Sequence, residues 1–307
     1  MCVPRRRCAR ALPVLAALVV LVAGPAGAQT APTNDPGSGL EWHLNVIGAP
    51  RAWPVATGKG TTIAIVDTGV DLAHEDLVGR ISGRATCLDT GGDSLRCTDG
   101  GPDDGRDDDG HGTHVAGIAA ATGSNGTGVV GVAPDANILA VKVLRTCAGA
   151  TACDATGSAS DVEAGIRWAT DHGATVINLS LGSTTQSLFG SGFGDAISYA
   201  WGAGAIPVVA SGNSLLLSSG FSSENAIVVN SLNRSGLKAS YASNVGSAHW
   251  ALSAPGGEGD TATSCATAPQ GILSTYWTRG GSGYACLAGT SMAAPQVSGA
   301  AAILRSA

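Results

Sequence analysis

The chain has 307 residues, a length that suits one large α/β domain or two smaller ones. Its formal net charge of −6 argues against nucleic acid as a partner, because binding to phosphates needs clustered Lys and Arg. Aromatic residues make up 4% of the chain and Gly accounts for 45 residues, which favours Gly-rich turns between buried strands.

The first 28 residues have the three-part pattern of a secretory signal peptide. Four arginines among residues 5–10 form a positive region, and residues 11–23 form an apolar segment too short to span a bilayer. An Ala-x-Ala cleavage signal follows at 26–28. We therefore predict removal of residues 1–28, a mature chain that begins at Gln29, and a secreted or periplasmic protein that is not held at a membrane. A retained membrane anchor is the alternative.

Beyond the signal, the Pro-, Gly-, Asn- and Ser-containing residues 29–40 predict a flexible lead-in. From residue 41 onwards, short apolar runs alternate with segments that have apolar residues at helical spacing. The runs predict strands at 61–66, 138–144, 176–179, 206–210 and 226–229. The other segments predict helices at 114–121, 161–172, 194–202 and 291–305. This alternation predicts an α/β fold with a mostly parallel central sheet flanked by helices, and functional residues at the carboxyl ends of its strands.

Six cysteines remain once Cys2 and Cys8 leave with the signal peptide. An even number in an exported chain indicates disulfides, although six cysteines allow fifteen connectivities. Zinc binding is the alternative, but the common Cys-x2-Cys spacing is absent. We favour three pairs that are local in sequence: Cys87–Cys97, Cys147–Cys153 and Cys265–Cys286.

Three short motifs present an Asp, a His and a Ser in that order. Asp67 ends an apolar run in Ile-Val-Asp-Thr-Gly, His111 begins His-Gly-Thr-His, and Ser291 lies in Gly-Thr-Ser-Met-Ala-Ala-Pro. A hydroxyl needs a base to become a good nucleophile, and the base needs a carboxylate to hold its tautomer. Taken singly, Asp67 could end a strand before a turn and Ser291 could cap a helix. The order of the three motifs is that of subtilisin.

On these motifs, the chain from residue 41 to residue 307 resembles a secreted subtilisin-like serine endopeptidase of peptidase family S8, of the bacterial subtilisin and thermitase type. The resemblance implies a three-layer fold and hydrolysis of peptide bonds through an acyl-enzyme. It assigns Asp67 to orient the base, His111 to act as base and then acid, and Ser291 to attack. His114 then becomes a helix residue behind the base. Asn213, directly after a predicted strand, resembles the side chain that stabilises the oxyanion.

The resemblance also implies two segments that bind an extended peptide between them. One is Ser180, Leu181 and Gly182, and the other is Gly157, Ser158 and Ala159. Pairing through the main chain implies broad specificity, and we expect apolar or aromatic side chains at the position before the cleaved bond. The implied partners are protein or peptide substrates, and the implied enzyme is a monomer.

The loop at residues 122–129 resembles the family's tight calcium loop, with a structural Ca²⁺ and no catalytic cofactor. The implied ligand residues are Asp76, Thr122, Asn125, Thr127 and Val129. A metal-free surface loop is the alternative. A second candidate metal site is the following acidic stretch, for which a solvated loop is the favoured interpretation: Asp103, Asp104, Asp107, Asp108 and Asp109.

Two departures from the family pattern affect these expectations. Only about a dozen residues separate the signal from residue 41, where relatives carry a folded propeptide. The domain at 41–307 also ends within its last helix, so we expect a C-terminally shortened fold that exposes an apolar helix face and is less stable than relatives. A non-catalytic peptide-binding fragment is therefore the alternative function. A lipase or esterase would need Gly-x-Ser-x-Gly, which Ser291 lacks.

Overall fold

The computed structural model describes residues 33–146, 155–181, 191–214, 224–259 and 265–307. Among these residues, eight strands form a central sheet in the order β3-β2-β4-β1-β5-β6-β7-β8, parallel throughout except for the short antiparallel β3 at one edge. The mostly parallel sheet expected from the sequence is confirmed. The strands are β1 (Thr62–Asp67), β2 (Ile81–Thr86), β3 (Thr98–Asp99), β4 (Asn137–Lys142), β5 (Val176–Leu179), β6 (Ile206–Ala210), β7 (Ile227–Leu232) and β8 (Trp250–Pro255).

Helices cover both faces of this sheet. In β1, Ile63 and Ile65 belong to one apolar core, whereas Ala64 and Val66 belong to the other. This alternation follows from the two-residue period of a strand. The first core contains residues of α3 and α6, and the second contains residues of α4 and α5, which gives the expected three layers. The helices are α1 (Trp42–Ile47), α2 (Ala49–Ala52), α3 (His111–Ala120), α4 (Ala159–Asp171), α5 (Ser191–Gly202) and α6 (Thr290–Ser306).

A hairpin that the sequence reasoning missed packs against α3. Its antiparallel strands are β9 (Ile272–Thr278) and β10 (Gly281–Leu287). The Thr275 hydroxyl donates to the Thr113 carbonyl at 2.7 Å. A Cβ at Gly117 would lie 2.2 Å from the Thr275 hydroxyl oxygen, so a glycine is needed where the helix and the hairpin touch.

The expected flexible lead-in is wrong for the described residues before Glu41. Residues Pro36–Leu40 form a 3-10 helix. Asp35 is 2% exposed, and its carboxylate accepts hydrogen bonds from the backbone N–H groups of Ser124, Asn125 and Gly126 at 2.7, 3.0 and 3.0 Å. The Asp35 carboxylate therefore contacts a distant loop, while the residues of the 3-10 helix remain partly or fully exposed.

The expected exposed apolar face of the last helix is also wrong for most of α6. Its large apolar side chains Met292, Val297 and Ile303 are buried, and Leu304 is exposed. The helix packs between α3 and strands β5, β6 and β7, so its small residues contact protein on several sides. None of the helices in the described part of the chain is long and apolar enough to cross a membrane.

Two of the three favoured disulfides are present. Cys87 is bonded to Cys97, and Cys265 is bonded to Cys286. The third favoured pair, Cys147 with Cys153, lies outside the described residues.

Candidate active site

Asp67 and His111 meet where β1 ends and α3 begins. Asp67 is the last residue of β1 and is fully buried. Its Oδ1 lies 2.7 Å from His111 Nδ1 and also accepts the Thr68 N–H at 2.7 Å. A proton on Nδ1 is thereby held toward the carboxylate, which leaves Nε2 free to accept another proton. This is the arrangement that a general base requires.

The electrostatic environment favours protonated His111. The imidazole is 28% exposed. Burial lowers its pKa, but the Asp67 carboxylate outweighs that effect by its charge and its hydrogen bond. With further contributions from Asp109 and Asp107, the pKa of His111 is raised from 6.5 to about 9. A base of this strength accepts a proton readily once it has lost its own.

His114, the other histidine of the same motif, is buried and contacts backbone carbonyl groups of the hairpin. It is fully buried, and its Nε2 lies 3.1 Å from the Ile272 carbonyl oxygen and 3.0 Å from that of Ala285. Burial lowers the pKa of His114 to about 3. A neutral ring that donates to the hairpin joins α3 to β9 and β10, behind the site.

Ser291 is the second residue of α6 and is linked to the end of β5. Its hydroxyl donates to the Ser180 carbonyl at 3.2 Å, and the Ser180 hydroxyl donates to the Ser291 carbonyl at 2.9 Å. The register pairs Ile65 with Asn178 on neighbouring strands, which sets Asp67 level with Ser180. Parallel strands lie about 4.8 Å apart, so the Ser180 segment that holds the Ser291 hydroxyl lies one strand away from Asp67.

Asn213 lies beside the start of α6. Its Oδ1 accepts the N–H and the hydroxyl of Thr290 at 2.9 and 2.8 Å, which directs its Nδ2 toward Gly289. A Cβ on Gly289 would lie 3.3 Å from Asn213 Nδ2 and 3.7 Å from the Ser291 nitrogen. Two N–H donors therefore face one small space, which the absence of a side chain at residue 289 leaves open. Thr290 orients this amide, and the sequence reasoning had not singled it out.

The two expected substrate-binding segments lie beside these groups. Ser180 follows β5, Leu181 is half-buried, and Gly182 lies outside the described residues. On the other segment, a Cβ at Gly157 would lie 2.1 Å from the Val143 carbonyl oxygen, so this backbone packs directly beyond β4. Ser158 and Ala159 begin α4, and the Ser158 hydroxyl is occupied in capping that helix. The Ser158 N–H and carbonyl are also engaged in the cap, with Asp161 and Val162, so Gly157 is the residue of this segment whose backbone we expect to meet a peptide.

The residues of the expected calcium loop converge on Asp76. Its Oδ1 accepts from Asn125 Nδ2 at 2.9 Å, and its Oδ2 accepts from the Val129 N–H at 3.0 Å. The Thr122 N–H donates to the Asp76 carbonyl at 2.9 Å, and the Thr127 N–H donates to Asn125 Oδ1 at 2.8 Å. Thr122, Asn125 and Val129 therefore contact Asp76 directly, and Thr127 is joined to it through Asn125.

Asp35 and Glu41 are acidic residues of this region that the sequence reasoning missed. Glu41 accepts the Val130 N–H at 3.1 Å, and burial raises its pKa well above the usual value, with Asp35 and Asp76 adding to the rise. No ion pair to Lys or Arg involves Asp35, Glu41 or Asp76 in the described part of the chain. Buried carboxylates without a cationic partner are groups that a hard cation nearby would stabilise.

In the acidic stretch before α3, Asp107 differs from the expected solvated loop, whereas Asp103 and Asp108 are exposed as expected. Asp107 is 1% exposed, because its carboxylate binds the first turn of α3. Asp108 lies 2.7 Å from Lys142, and Asp103 lies 3.1 Å from Arg106. Among the described residues, no group of three or more His, Cys, Asp and Glu is arranged to hold a metal. A cation at the Asp76 loop would accordingly depend on backbone carbonyls and Asn125.

Comparison with known proteins places this site in context. The model of the subtilase family, peptidase S8, matches residues 58–307. The chain is 41% identical over 276 residues to thermitase of Thermoactinomyces vulgaris, covering 89% of this chain and 85% of thermitase. It is 36% identical over 269 residues to subtilisin BL of Lederbergia lenta, covering 87% of this chain and 84% of subtilisin BL. A solved protease structure from Pseudoalteromonas arctica PAMC 21717 has a TM-score of 0.73 at 31% identity and covers 89% of this chain and 86% of that one.

Proposed function

The chain belongs to the subtilase family and is a serine endopeptidase, and on that premise we propose that it cuts peptide bonds through Asp67, His111 and Ser291. The supporting observation is the 2.7 Å contact between Asp67 and His111, level with the Ser180 carbonyl that holds the Ser291 hydroxyl. This contact supplies an oriented base at the edge of the sheet where the Ser180 segment holds Ser291.

The proposed reaction has two halves. Ser291 Oγ attacks the scissile carbonyl carbon while its proton moves to His111 Nε2, and Asp67 stabilises the resulting imidazolium. Asn213 Nδ2 and the Ser291 N–H donate to the oxyanion. The carbon–nitrogen bond then breaks as His111 gives its proton to the leaving amine. Water, deprotonated by His111, attacks the acyl-enzyme, and the released Ser291 oxygen takes that proton back.

The substrate in this proposal is an extended peptide that lies between the Ser180 and Gly157 segments. Its affinity comes mainly from main-chain hydrogen bonds, which every sequence can make. Broad specificity follows. With a signal peptide at residues 1–28, the site of action is outside the cytoplasm, and we propose that the enzyme acts there as a monomer.

We also propose a structural Ca²⁺ at the Asp76 loop. Asp76, Asn125 and the carbonyl groups of Thr122, Thr127 and Val129 would hold it, with Asp35 on the side of the 3-10 helix. When bound, the cation supplies positive charge that offsets the buried carboxylates. The proposed catalytic steps do not use this cation, since protein groups carry out each of them.

Covalent labelling tests the proposed activity. Residues 29–307, prepared with calcium, are treated with a fluorophosphonate probe beside the Ser291→Ala variant. We expect labelling of the parent and none of the variant. A cooperatively folded parent that is not labelled would contradict the proposal and favour the non-catalytic peptide-binding alternative.

A further inference from the structure

A buried carboxylate outside the proposed triad sits directly behind it. Asp107 Oδ1 accepts hydrogen bonds from the Thr68 hydroxyl and from the N–H groups of Asp109 and Gly110, at 2.8, 3.0 and 3.0 Å. Its Oδ2 accepts from the N–H and the hydroxyl of Thr113, at 3.0 and 2.5 Å. Five donors to one carboxylate offset the large cost of burying its charge.

These bonds connect the two segments that carry Asp67 and His111. Thr68 directly follows Asp67, and Thr113 lies two residues beyond His111. The Thr68 hydroxyl oxygen also accepts the Gly112 N–H at 2.9 Å, so the end of β1 and the first turn of α3 share one hydrogen-bond network. Asp107 is at the centre of it.

Lys142 anchors the same region from β4. Its buried ammonium group donates to the Thr68 carbonyl at 2.8 Å and to Asp108 Oδ1 at 2.7 Å. The backbone of Thr68 is thus held by Lys142 while its side chain is held by Asp107. This double attachment leaves little freedom for the strand end that presents Asp67.

We infer that Asp107 is a positioning residue for the base, holding His111 Nδ1 against Asp67 so that Nε2 stays free to accept a proton. The inference rests on the proposed triad. It gives a function to the acidic stretch, whose remaining carboxylates bind Lys142, Arg106 or local backbone. A merely structural Asp107 would affect folding stability but would leave kcat of the folded enzyme unchanged.

The charges around His111 set the direction of the expected pH effect. The carboxylates of Asp67, Asp109 and Asp107 raise its pKa, and His114 on the next turn stays neutral above a pKa of about 3. Removing the charge of Asp107 therefore lowers the pKa of His111. The acid limb of the kcat/KM profile then moves toward lower pH, because His111 becomes neutral at a lower pH.

Asp107→Asn tests the inference with kinetics on a peptide substrate. The amide nitrogen cannot accept the Thr113 N–H, so the first turn of α3 shifts. We expect kcat to fall by about one to two orders of magnitude, as small misplacements of catalytic groups do, with KM changed less than about twofold. Asp103→Asn is the matched control, since that exposed residue pairs with Arg106 in the same loop and should leave both values unchanged. An unchanged kcat, or a raised KM in place of a lower kcat, would overturn the inference.

A second pair of variants serves if Asp107→Asn does not fold. Thr68→Val removes the hydroxyl between Asp107 and Gly112 but no charge, so kcat should fall without movement of the acid limb. Thr68→Ser keeps the hydroxyl, so its kcat should equal that of the parent. Full activity of Thr68→Val would refute the positioning role. Activity remaining in Ser291→Ala would instead refute the triad itself, so the two failures are distinguishable.

Discussion

At the scale of single residues, His111 experiences two opposing influences on its proton. Burial favours the neutral ring, whereas three nearby carboxylates favour the imidazolium, and the carboxylates dominate. The proposed mechanism needs the neutral ring at the start of each cycle. The free enzyme must therefore lose a proton from His111 before it can attack a substrate.

The pH dependence of kcat/KM follows from this requirement. We expect activity to rise with pH and to level off above the His111 pKa of about 9. Asp67→Asn should move the rise toward lower pH and reduce kcat by about 10⁴-fold, as loss of the orienting carboxylate does in other triads. Initial rates from pH 6 to 10 measure both effects. A plateau already reached at pH 7 in the parent would contradict the assignment.

The empty space beside Gly289 gives a second residue-scale prediction. In Gly289→Ala, the methyl group would lie 3.3 Å from Asn213 Nδ2 and 3.7 Å from the Ser291 nitrogen, where the oxyanion is proposed to bind. We expect kcat to fall by about 10²–10³-fold with little change in KM. Gly79→Ala is the control, because nothing lies within 4 Å of a Cβ there. Equal kcat in both variants would rule out this location for the oxyanion.

At the scale of elements, the loop at 122–129 joins parts of the chain that are far apart in sequence. Asp35 binds its backbone from the N-terminal side, Asp76 binds it from the β1–β2 connection, and the Tyr284 hydroxyl of β10 donates to Asp76 at 3.0 Å. A cation at this loop would therefore stabilise three elements together.

Calcium removal tests this arrangement. We expect the thermal midpoint to fall on chelation, since a ligand at about one hundred times its Kd stabilises the folded state by about 2.7 kcal/mol. Asp35→Asn should reduce the difference between the calcium-loaded and chelated protein. Calorimetry with and without chelator measures it, with Asp103→Asn as the control. Identical midpoints in calcium and in chelator would show that the loop binds no structural ion.

Some elements could be predicted from the sequence and others could not. Strands β1, β4, β5, β6 and β7 are rich in Val, Ile and other apolar residues because helices cover both of their faces. Strand β8 is also mostly apolar, but its first four residues are exposed at the edge of the sheet, and its sequence lacks the alternation of apolar and polar residues that predicts an edge strand.

The site residues likewise divide into those that a local sequence pattern predicts and those that it does not. The motifs around Asp67, His111 and Ser291 are specific, whereas Asp35 and Asp107 lie in polar stretches whose composition resembles that of solvated loops. Asp35 acts through contacts about ninety residues away in sequence, which no local pattern records. Asp107 is buried by the turn that it organises, so its burial is visible only in three dimensions.

At the scale of the whole molecule, stability and activity should respond to pH in opposite directions. The folded-state pKa of His111 is about 9, above its ordinary value of 6.5. Its contribution to stability is therefore complete below pH 6.5 and is lost as the pH rises through about 9. Glu41, whose pKa is also raised, favours the neutral carboxyl in the fold, so its ionisation destabilises in the same direction.

We thus expect the free energy of unfolding to decrease between pH 6.5 and 9.5 while kcat/KM increases. Denaturant titrations at constant calcium measure the first quantity, and His111→Gln should flatten its slope. A stability that rises over this range in the parent would contradict the ionisation assigned to His111.

The order of the elements has a consequence for biosynthesis. Asp67 lies at the end of β1, whereas Ser291 lies on α6, which packs against α3 and strands β5, β6 and β7. A growing polypeptide on the ribosome contains the base and its carboxylate long before it contains the nucleophile. Cleavage therefore cannot begin until α6 has been synthesised, and a chain stopped before that point has no means of digesting itself or its neighbours.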